Sequence, residues 1–412
     1  MPSRRAFLRT AALAAPGLAS ASAIARAAAR DRVAEAPGFL FQWTASDMVA
    51  AAPKARYWVP APAADATGGE CRSCHLMDRA IDTRHRHAPK AVACQLCARG
   101  CLIGAGGRGE CRARINVNGE LRSLVYGRPL ATNLDPIEKK PFYHFLPGTT
   151  AYSLGTAGCP LRCKFCQNWQ LSQARPDDHD VAYTSPADVT MAARRQSAAS
   201  VAFTYNEPTV FIEYLLDTAI AARKQGLRTV LVSCGFMNER PLADMCGALD
   251  AIKIDLKGYS EDFYRSVSGA SLAPVLRSIR QVRKSGTHLE IVNLVVPTLN
   301  DADPSLRGLA DFVMGELGPD VPLHFTRFHP DYQLLNLPPT PIATLDRARA
   351  FAMDRGLRYV YVGNVPGHAG NHTYCPGCGR IVLRRDNFFV VENNLKNGRC
   401  GFCARAIAGV WQ

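Results

Sequence analysis

Outside one alanine-rich run near the N-terminus, no stretch of this 412-residue chain approaches the ~20 consecutive apolar residues that a membrane-crossing helix needs. No stable transmembrane domain is therefore expected. Acidic residues are absent from the first thirty positions, which carry Arg4, Arg5, Arg9, Arg26 and Arg30. Of the formal net charge of +14, those arginines account for five, leaving +9 on the remainder. No nucleic-acid motif accompanies that charge, so it reads as a solvated basic surface and no nucleic-acid partner is expected. Nor does any Ser-His-Asp set or paired-carboxylate constellation stand out, which leaves those hydrolytic chemistries without candidates.

What is present is cysteine. The chain has room for two or three domains, and its 47% hydrophobic content and 32 glycines are ordinary for a globular α/β protein. Its 15 cysteines are not. Most fall in C-x2-C pairs, which read as metal ligands rather than disulfides. The first pair follows an N-terminal region with its own signature. Ser3-Arg4-Arg5-Ala6-Phe7-Leu8 precedes a weakly apolar run to Ala25 and the small-residue stretch Ala25 to Ala29. Paired arginines before a modest apolar region make residues 1–30 a twin-arginine export segment, a route for folded, cofactor-loaded proteins. Residues 31–70 read as a linker, ending in a run rich in Ala, Pro and Gly. Cys71-Arg72-Ser73-Cys74-His75 then forms a C-x2-C-H. In an exported protein this pattern attaches a c-type haem with His75 as axial ligand; zinc or cluster ligation is the preferred reading.

Two further cysteine sets flank the centre of the chain. Cys94, Cys97, Cys101 and Cys111 lie in VACQLCARGCLIGAGGRGECRAR, where glycines let the backbone fold around a metal. Zinc and a second iron–sulfur cluster both fit, because four thiolates alone do not choose between them. Residues 71–148 thus form a Cys-rich metal-binding module and a β lead-in, with Asn118-Gly119 as a hairpin turn. At the other end, residues 371–412 hold Cys375, Cys378, Cys400 and Cys403, two C-x2-C knuckles around a hairpin-sized insert, Val382 to Asn394. That pattern describes a zinc ribbon, with a rubredoxin-like iron site as the alternative.

The stretch Ala151 to Gln173 organises the rest. Cys159, Cys163 and Cys166 stand in the spacing C-x3-C-x2-C after a short strand-like run and a Gly-rich turn. Three such thiolates hold three corners of a [4Fe-4S] cube and leave the fourth iron open. With Gln167-Asn168-Trp169 they make the radical S-adenosylmethionine (radical SAM) signature, in which the cosubstrate chelates that iron. Downstream, strands are predicted at 200–205, 229–233, 251–255, 289–296, 323–328 and 359–363, separated by helix-length segments opening at capping residues such as Ser185 and Thr340. Residues 149–370 are therefore expected to form an open, partial (β/α)6 TIM-like barrel. Polar residues recur at its strand ends: Asn206 and Glu207, Ser233, Asp255 and Lys257, Asn293, and His329. Lys257 and His329 suit the methionyl carboxylate, and Asn206 and Glu207 the amino end.

Together CQLCARGCLIGAGGRGECRAR, DPIEKKPFYHFLPG, GCPLRCKFCQNWQLSQ, FTYNEPTVFIEY, IKIDLKG, YVYVGNVPGH and the terminal knuckles resemble the radical SAM member of the AmmeMemoRadiSam system. That group is related to pyruvate formate-lyase activating enzymes. The resemblance runs from about Cys94 to the C-terminus and leaves residues 1–90 outside it. It implies a partial barrel, the cluster on Cys159, Cys163 and Cys166, and S-adenosylmethionine as cosubstrate. It also places Lys257 and His329 where carboxylate-binding residues are expected.

The expected function is reductive cleavage of S-adenosylmethionine to a 5′-deoxyadenosyl radical that takes hydrogen from an unidentified protein or small molecule. Installation of a glycyl radical is one form of this, and an electron donor is an implied partner. The rival is an exported iron–sulfur or haem electron-transfer protein without cosubstrate turnover; it has no use for the rim residues. Fused to a reporter, residues 1–40 are expected to direct export, and Arg4→Lys with Arg5→Lys to abolish it. A reporter retained in the cytosol in both cases contradicts the twin-arginine reading.

Overall fold

The computed structural model describes residues 45–61 and 89–412. The expected export segment and Cys71, Cys74 and His75 lie outside the described residues.

The described residues before the main sheet build small antiparallel units. Strands β1 (Trp58–Pro60), β2 (Val92–Cys94) and β3 (Leu102–Ile103) form one sheet, and β4 (Arg114–Val117) with β5 (Glu120–Ser123) a hairpin. Asn118 (φ 54°) and Gly119 (φ 95°) make its turn, both in the left-handed region that two-residue hairpin connections require.

An eight-stranded sheet follows: β6 (Ala131–Pro136), β7 (Thr150–Gly155), β8 (Ser200–Phe203), β9 (Arg228–Ser233), β10 (Ala251–Asp255), β11 (His288–Val295), β12 (Leu323–Arg327) and β13 (Val360–Gly363). Strands β7 to β13 run parallel in sequence order, and β6 pairs antiparallel with β7 at one edge. Six helices make the crossovers: α1 (Pro186–Arg195), α2 (Ile212–Lys224), α3 (Glu239–Ala248), α4 (Leu272–Ser285), α5 (Asp303–Phe312) and α6 (Ile342–Asp354). The six expected β/α units are thus followed by a seventh parallel strand and preceded by an antiparallel one. The sheet stays open, with β6 and β13 as its edges.

Strand alternation decides which face does what. In β10, Ile252 and Ile254 join the core that includes Val275, Ile279 and Val282 of α4, while Lys253 and Asp255 line a cavity on the other face. Each buried aliphatic side chain contributes roughly 1.5–3 kcal/mol. Helix starts follow side-chain chemistry only in part. Ser185 caps α1 in a reciprocal box with Asp188, as its position suggests. Thr340 does not cap α6. Its hydroxyl donates to the Val295 carbonyl (2.6 Å) and accepts the Phe328 N–H (2.9 Å), stapling the ends of β11 and β12, while Pro341 opens the helix.

The C-terminal segment adds β14 (Thr373–Tyr374), β15 (Ile381–Asp386) and β16 (Phe389–Asn393) as one antiparallel sheet, and β17 (Leu395–Lys396) with β18 (Arg399–Cys400) as another. Among the described residues, no helix is long and apolar enough to cross a membrane.

A buried ion pair joins the N-terminal hairpin to the main sheet's helical layer. Arg114 on β4 donates to Glu213 on α2 at 2.5 Å, and both side chains are nearly inaccessible. The same carboxylate oxygen accepts the Arg56 N–H at 2.7 Å. Removing one partner strands a charge, so Glu213→Leu is expected to cost roughly 3–5 kcal/mol in chemical denaturation. Adding Arg114→Met is expected to recover most of that loss; a double variant as unstable as the single one contradicts this account.

Candidate active site

The segment between β7 and the first crossover helix carries Cys159, Cys163 and Cys166, and its backbone is tied on several sides. The Arg162 N–H donates to Ser268 (2.9 Å), the Lys164 N–H to Val267 (3.0 Å), and the Lys164 carbonyl accepts from Gln333 (2.9 Å). Gly158 (φ 95°) starts the loop, and a Cβ there would lie 2.2 Å from the Cys111 carbonyl oxygen. Only glycine fits that approach and that torsion. Asn206 spends its amide on the same turn, donating to the Gly158 carbonyl (2.7 Å) and accepting the Thr156 N–H (3.2 Å).

All three cysteines line a cavity of about 420 Å³ on the inner face of the sheet. They are free thiols, and burial pushes those of Cys159 and Cys163 up. Three sulfur donors on one fixed loop, beside open cavity space, are the donor set a [4Fe-4S] cluster with one free iron requires. In the same cavity, Glu207 is held by four donors: the Thr209 N–H and hydroxyl, the Ser233 hydroxyl (2.9 Å) and the Cys234 N–H (2.7 Å). Its strand end is turned there by Tyr205, whose φ of 72° is costly for a bulky residue. Lys257 sits 3.3 Å from Asp255 and 5.6 Å from the centre of the ring of Phe165, the residue before Cys166. Burial opposes the Lys257 charge, but Asp255 and the neighbouring thiols hold its pKa well above the usual lysine value. Burial likewise opposes ionisation of Asp255, and Lys253 and Lys257 overcome it.

Of the rim residues expected from sequence, Asn206, Glu207, Ser233, Asp255 and Lys257 line the cavity. Asn293 does not. It lies on the opposite face of β11 from the cavity-lining Val292 and Leu294, donating to the Leu256 carbonyl at 2.7 Å and so bracing the end of β10. His329 is exposed after β12 and is not among the lining residues.

A polar floor went unrecognised in the sequence. Lys140, Tyr205, Lys253 and His324 line the cavity beside Asp255, the member of this group that the sequence did indicate. Lys140 contacts Asp135 at 2.5 Å, and the Tyr205 hydroxyl donates to the same carboxylate at 2.7 Å. Burial pulls the Lys140 pKa down to about 8 despite that partner. Beneath, the buried Glu290 accepts from His324 (2.7 Å), His288 (3.1 Å) and the His144 N–H (2.8 Å). Burial disfavours its charge, but the histidine donors hold its pKa well below the carboxylate range, while burial pulls the His324 pKa down against the pull of Glu290. The available signal was alternation: Ile-Lys-Ile-Asp in β10 and Leu-His-Phe-Thr in β12 put polar groups on the inward face.

The outer cysteine sets differ in closeness. The sulfurs of Cys375, Cys378, Cys400 and Cys403 lie within 4.8 Å of one another, with pairs at 3.5 and 3.7 Å. A tetrahedral ion with ~2.3 Å bonds to sulfur sets its ligands about 3.8 Å apart, so this set fits a single metal ion. The set Cys94, Cys97, Cys101 and Cys111 meets the signature loop through the Cys111 backbone at Gly158, and Arg112 lies near both Cys111 and Cys159.

A parallel α/β sheet that presents three cluster cysteines and a buried lysine to one cavity is the arrangement of an enzyme that generates radicals from S-adenosylmethionine. The chain belongs to the radical SAM superfamily, whose model matches residues 153–307. An uncharacterized protein of Methanocaldococcus jannaschii is 43% identical over 318 residues, covering 77% of this chain and 95% of that protein. The pyruvate formate-lyase-activating enzyme of Clostridium pasteurianum is 23% identical over 165 residues, covering 38% of this chain and 66% of that enzyme. Among solved structures, a radical SAM methyltransferase from Sphaerobacter thermophilus aligns with a TM-score of 0.42 and 14% identity, over 57% of this chain and 71% of that one.

Gly158→Ala is expected to leave the fold intact by circular dichroism but to sharply reduce iron bound on anaerobic reconstitution, because the new Cβ forces the loop off Cys111. Wild-type iron content in that variant contradicts the role given to this contact.

Proposed function

We propose that the protein binds S-adenosylmethionine in the cavity and abstracts hydrogen from a polar substrate, a protein segment or a small molecule, that reaches the same space. The observation that carries this reading is the placement of Lys257 and the braced Glu207 in one cavity with Cys159, Cys163 and Cys166. When bound, the cluster supplies the electron that cleaves the cosubstrate to 5′-deoxyadenosine's radical. The chain's own part is binding and orientation. Lys257 holds the methionyl carboxylate as an ammonium, its charge secured by Asp255. Glu207, fixed by Ser233 and the Cys234 N–H, receives the amino end, and Asn206 keeps the loop before Cys159 in place. His329, at the exposed end of β12, serves as a second carboxylate partner only when the cosubstrate reaches beyond the cavity. The floor of Lys140, Lys253, Asp255 and His324 favours a substrate with charged or hydrogen-bonding groups.

The AmmeMemoRadiSam relationship and glycyl-radical activation are finer versions of this reading, supported by the sequence motifs and by likeness to activating enzymes. The tail cysteines are assigned to structural zinc on the closeness of their sulfurs, and residues 1–30 to twin-arginine export. A pure electron carrier has no role for Lys257 or for the carboxylate held by Ser233.

Anaerobically reconstituted, reduced protein with S-adenosylmethionine is expected to yield 5′-deoxyadenosine, and Cys163→Ala none. Lys257→Ala is expected to raise the KM for the cosubstrate about 10–100-fold, as loss of a charged hydrogen bond does. Wild type with a complete cluster but no product, across candidate substrates, contradicts the proposal.

A further inference from the structure

The Cys94, Cys97, Cys101 and Cys111 set has a built environment of its own. The Cys94 N–H donates to the Cys101 carbonyl at 2.9 Å, and the Glu110 N–H to the Cys101 sulfur at 3.4 Å. A Cβ on Gly109 would lie 3.7 Å from the Cys101 sulfur and 3.8 Å from that of Cys111. Both sulfurs therefore face one glycine-lined space. None of the four forms a disulfide, and Cys94, Cys97 and Cys111 are each only 8% exposed.

Size separates this set from the tail set. Among the described residues, the tail cysteines are the group whose donors all close to within 4.8 Å. The N-terminal set is more open than that, as is the signature set. Sulfurs more widely spaced than those of the tail set suit a polynuclear centre, whose cysteine ligands sit on separate irons.

Charge points the same way. Arg99, between Cys97 and Cys101, and Arg112 and Arg114, just after Cys111, each keep a buried Nε–H without a hydrogen-bond partner. Buried donors of that kind call for an acceptor, and a thiolate-ligated anionic centre is one. Two of the arginines also reach the signature loop and its flank. Arg99 donates to the Pro160 carbonyl at 2.6 Å and Arg112 to the Ser172 carbonyl at 2.8 Å. The Cys111 backbone packs directly on Gly158, next to Cys159. On the far side, Cys101 is partly exposed and Leu102 is 44% exposed.

We propose that Cys94, Cys97, Cys101 and Cys111 hold a second iron–sulfur cluster that passes electrons to the one on Cys159, Cys163 and Cys166. One electron enters from a low-potential protein donor, which is oxidised. It reduces the second centre, moves to the signature centre, and ends in the sulfonium of S-adenosylmethionine, whose carbon–sulfur bond breaks. The relay rests on the radical SAM reading; the metal site does not.

The test uses the full chain reconstituted anaerobically with iron and sulfide. With Cys159→Ala, Cys163→Ala and Cys166→Ala combined, about four irons and four acid-labile sulfides per chain are expected to remain. Adding Cys97→Ala and Cys101→Ala is expected to remove them. Zinc without acid-labile sulfide in the first variant overturns the site, since neither zinc nor a mononuclear iron centre in the tail contributes sulfide. Because the variants risk misfolding, wild type gives an independent reading: about eight sulfides per chain are expected, and about four overturn the site. For the relay, pre-reduced wild type freed of reductant is expected to give about twice the 5′-deoxyadenosine of Cys97→Ala with Cys101→Ala. Equal yields overturn the relay. No product from either protein, with sulfide complete, refutes the radical SAM reading and leaves the metal site standing.

Discussion

The contact between Gly158 and the Cys111 backbone is the constraint on which the site depends. It sets where the signature loop leaves β7, and every later tie acts on a loop already aimed by it. A side chain at that position would separate the Cys-rich segment from the sheet and move Cys159 with it. Asn206 adds to the constraint from β8 by bonding the same glycine's carbonyl. Loop, N-terminal module and sheet therefore form one packed unit, and a cluster ligand is positioned by residues from three separate parts of the chain.

Charge is arranged around that unit in layers. Lys257 and Asp255 face the cysteines, Lys140 and Asp135 lie deeper, and Glu290 with its histidines closes the inner end. Each buried ion has a partner, because an unpaired one would cost several kcal/mol. The result is a cavity that is polar yet largely committed internally. Few of its groups are free to rearrange, which favours binding a cosubstrate in one orientation over accepting many.

Much of this was legible in the sequence, for identifiable reasons. The C-x3-C-x2-C spacing and the apolar runs of β8 to β13 are local signals, and local signals survive without a structure. So is the Ser185 capping box. What was not legible depended on tertiary partners. Asn293 reads as a rim residue by position, but its inward or outward direction follows from strand register, which the run HLEIVNLV does not disclose. Thr340 looks like a helix cap and instead joins two strand ends. Glu290, His324 and Arg114 look like surface charges until partners more than thirty residues away bury them. The openness of the Cys94–Cys111 set, against the closeness of the tail, is likewise a property of folded loops rather than of spacing.

The central claim is that S-adenosylmethionine binds the iron left free by Cys159, Cys163 and Cys166. Electron–nuclear double resonance on the reduced protein, with the cosubstrate labelled with ¹⁵N at its amino group, tests this most directly. The account expects a hyperfine coupling between the label and the cluster, lost in Cys163→Ala. Bound cosubstrate with no coupling in the wild type, and an unchanged cluster signal, would contradict it.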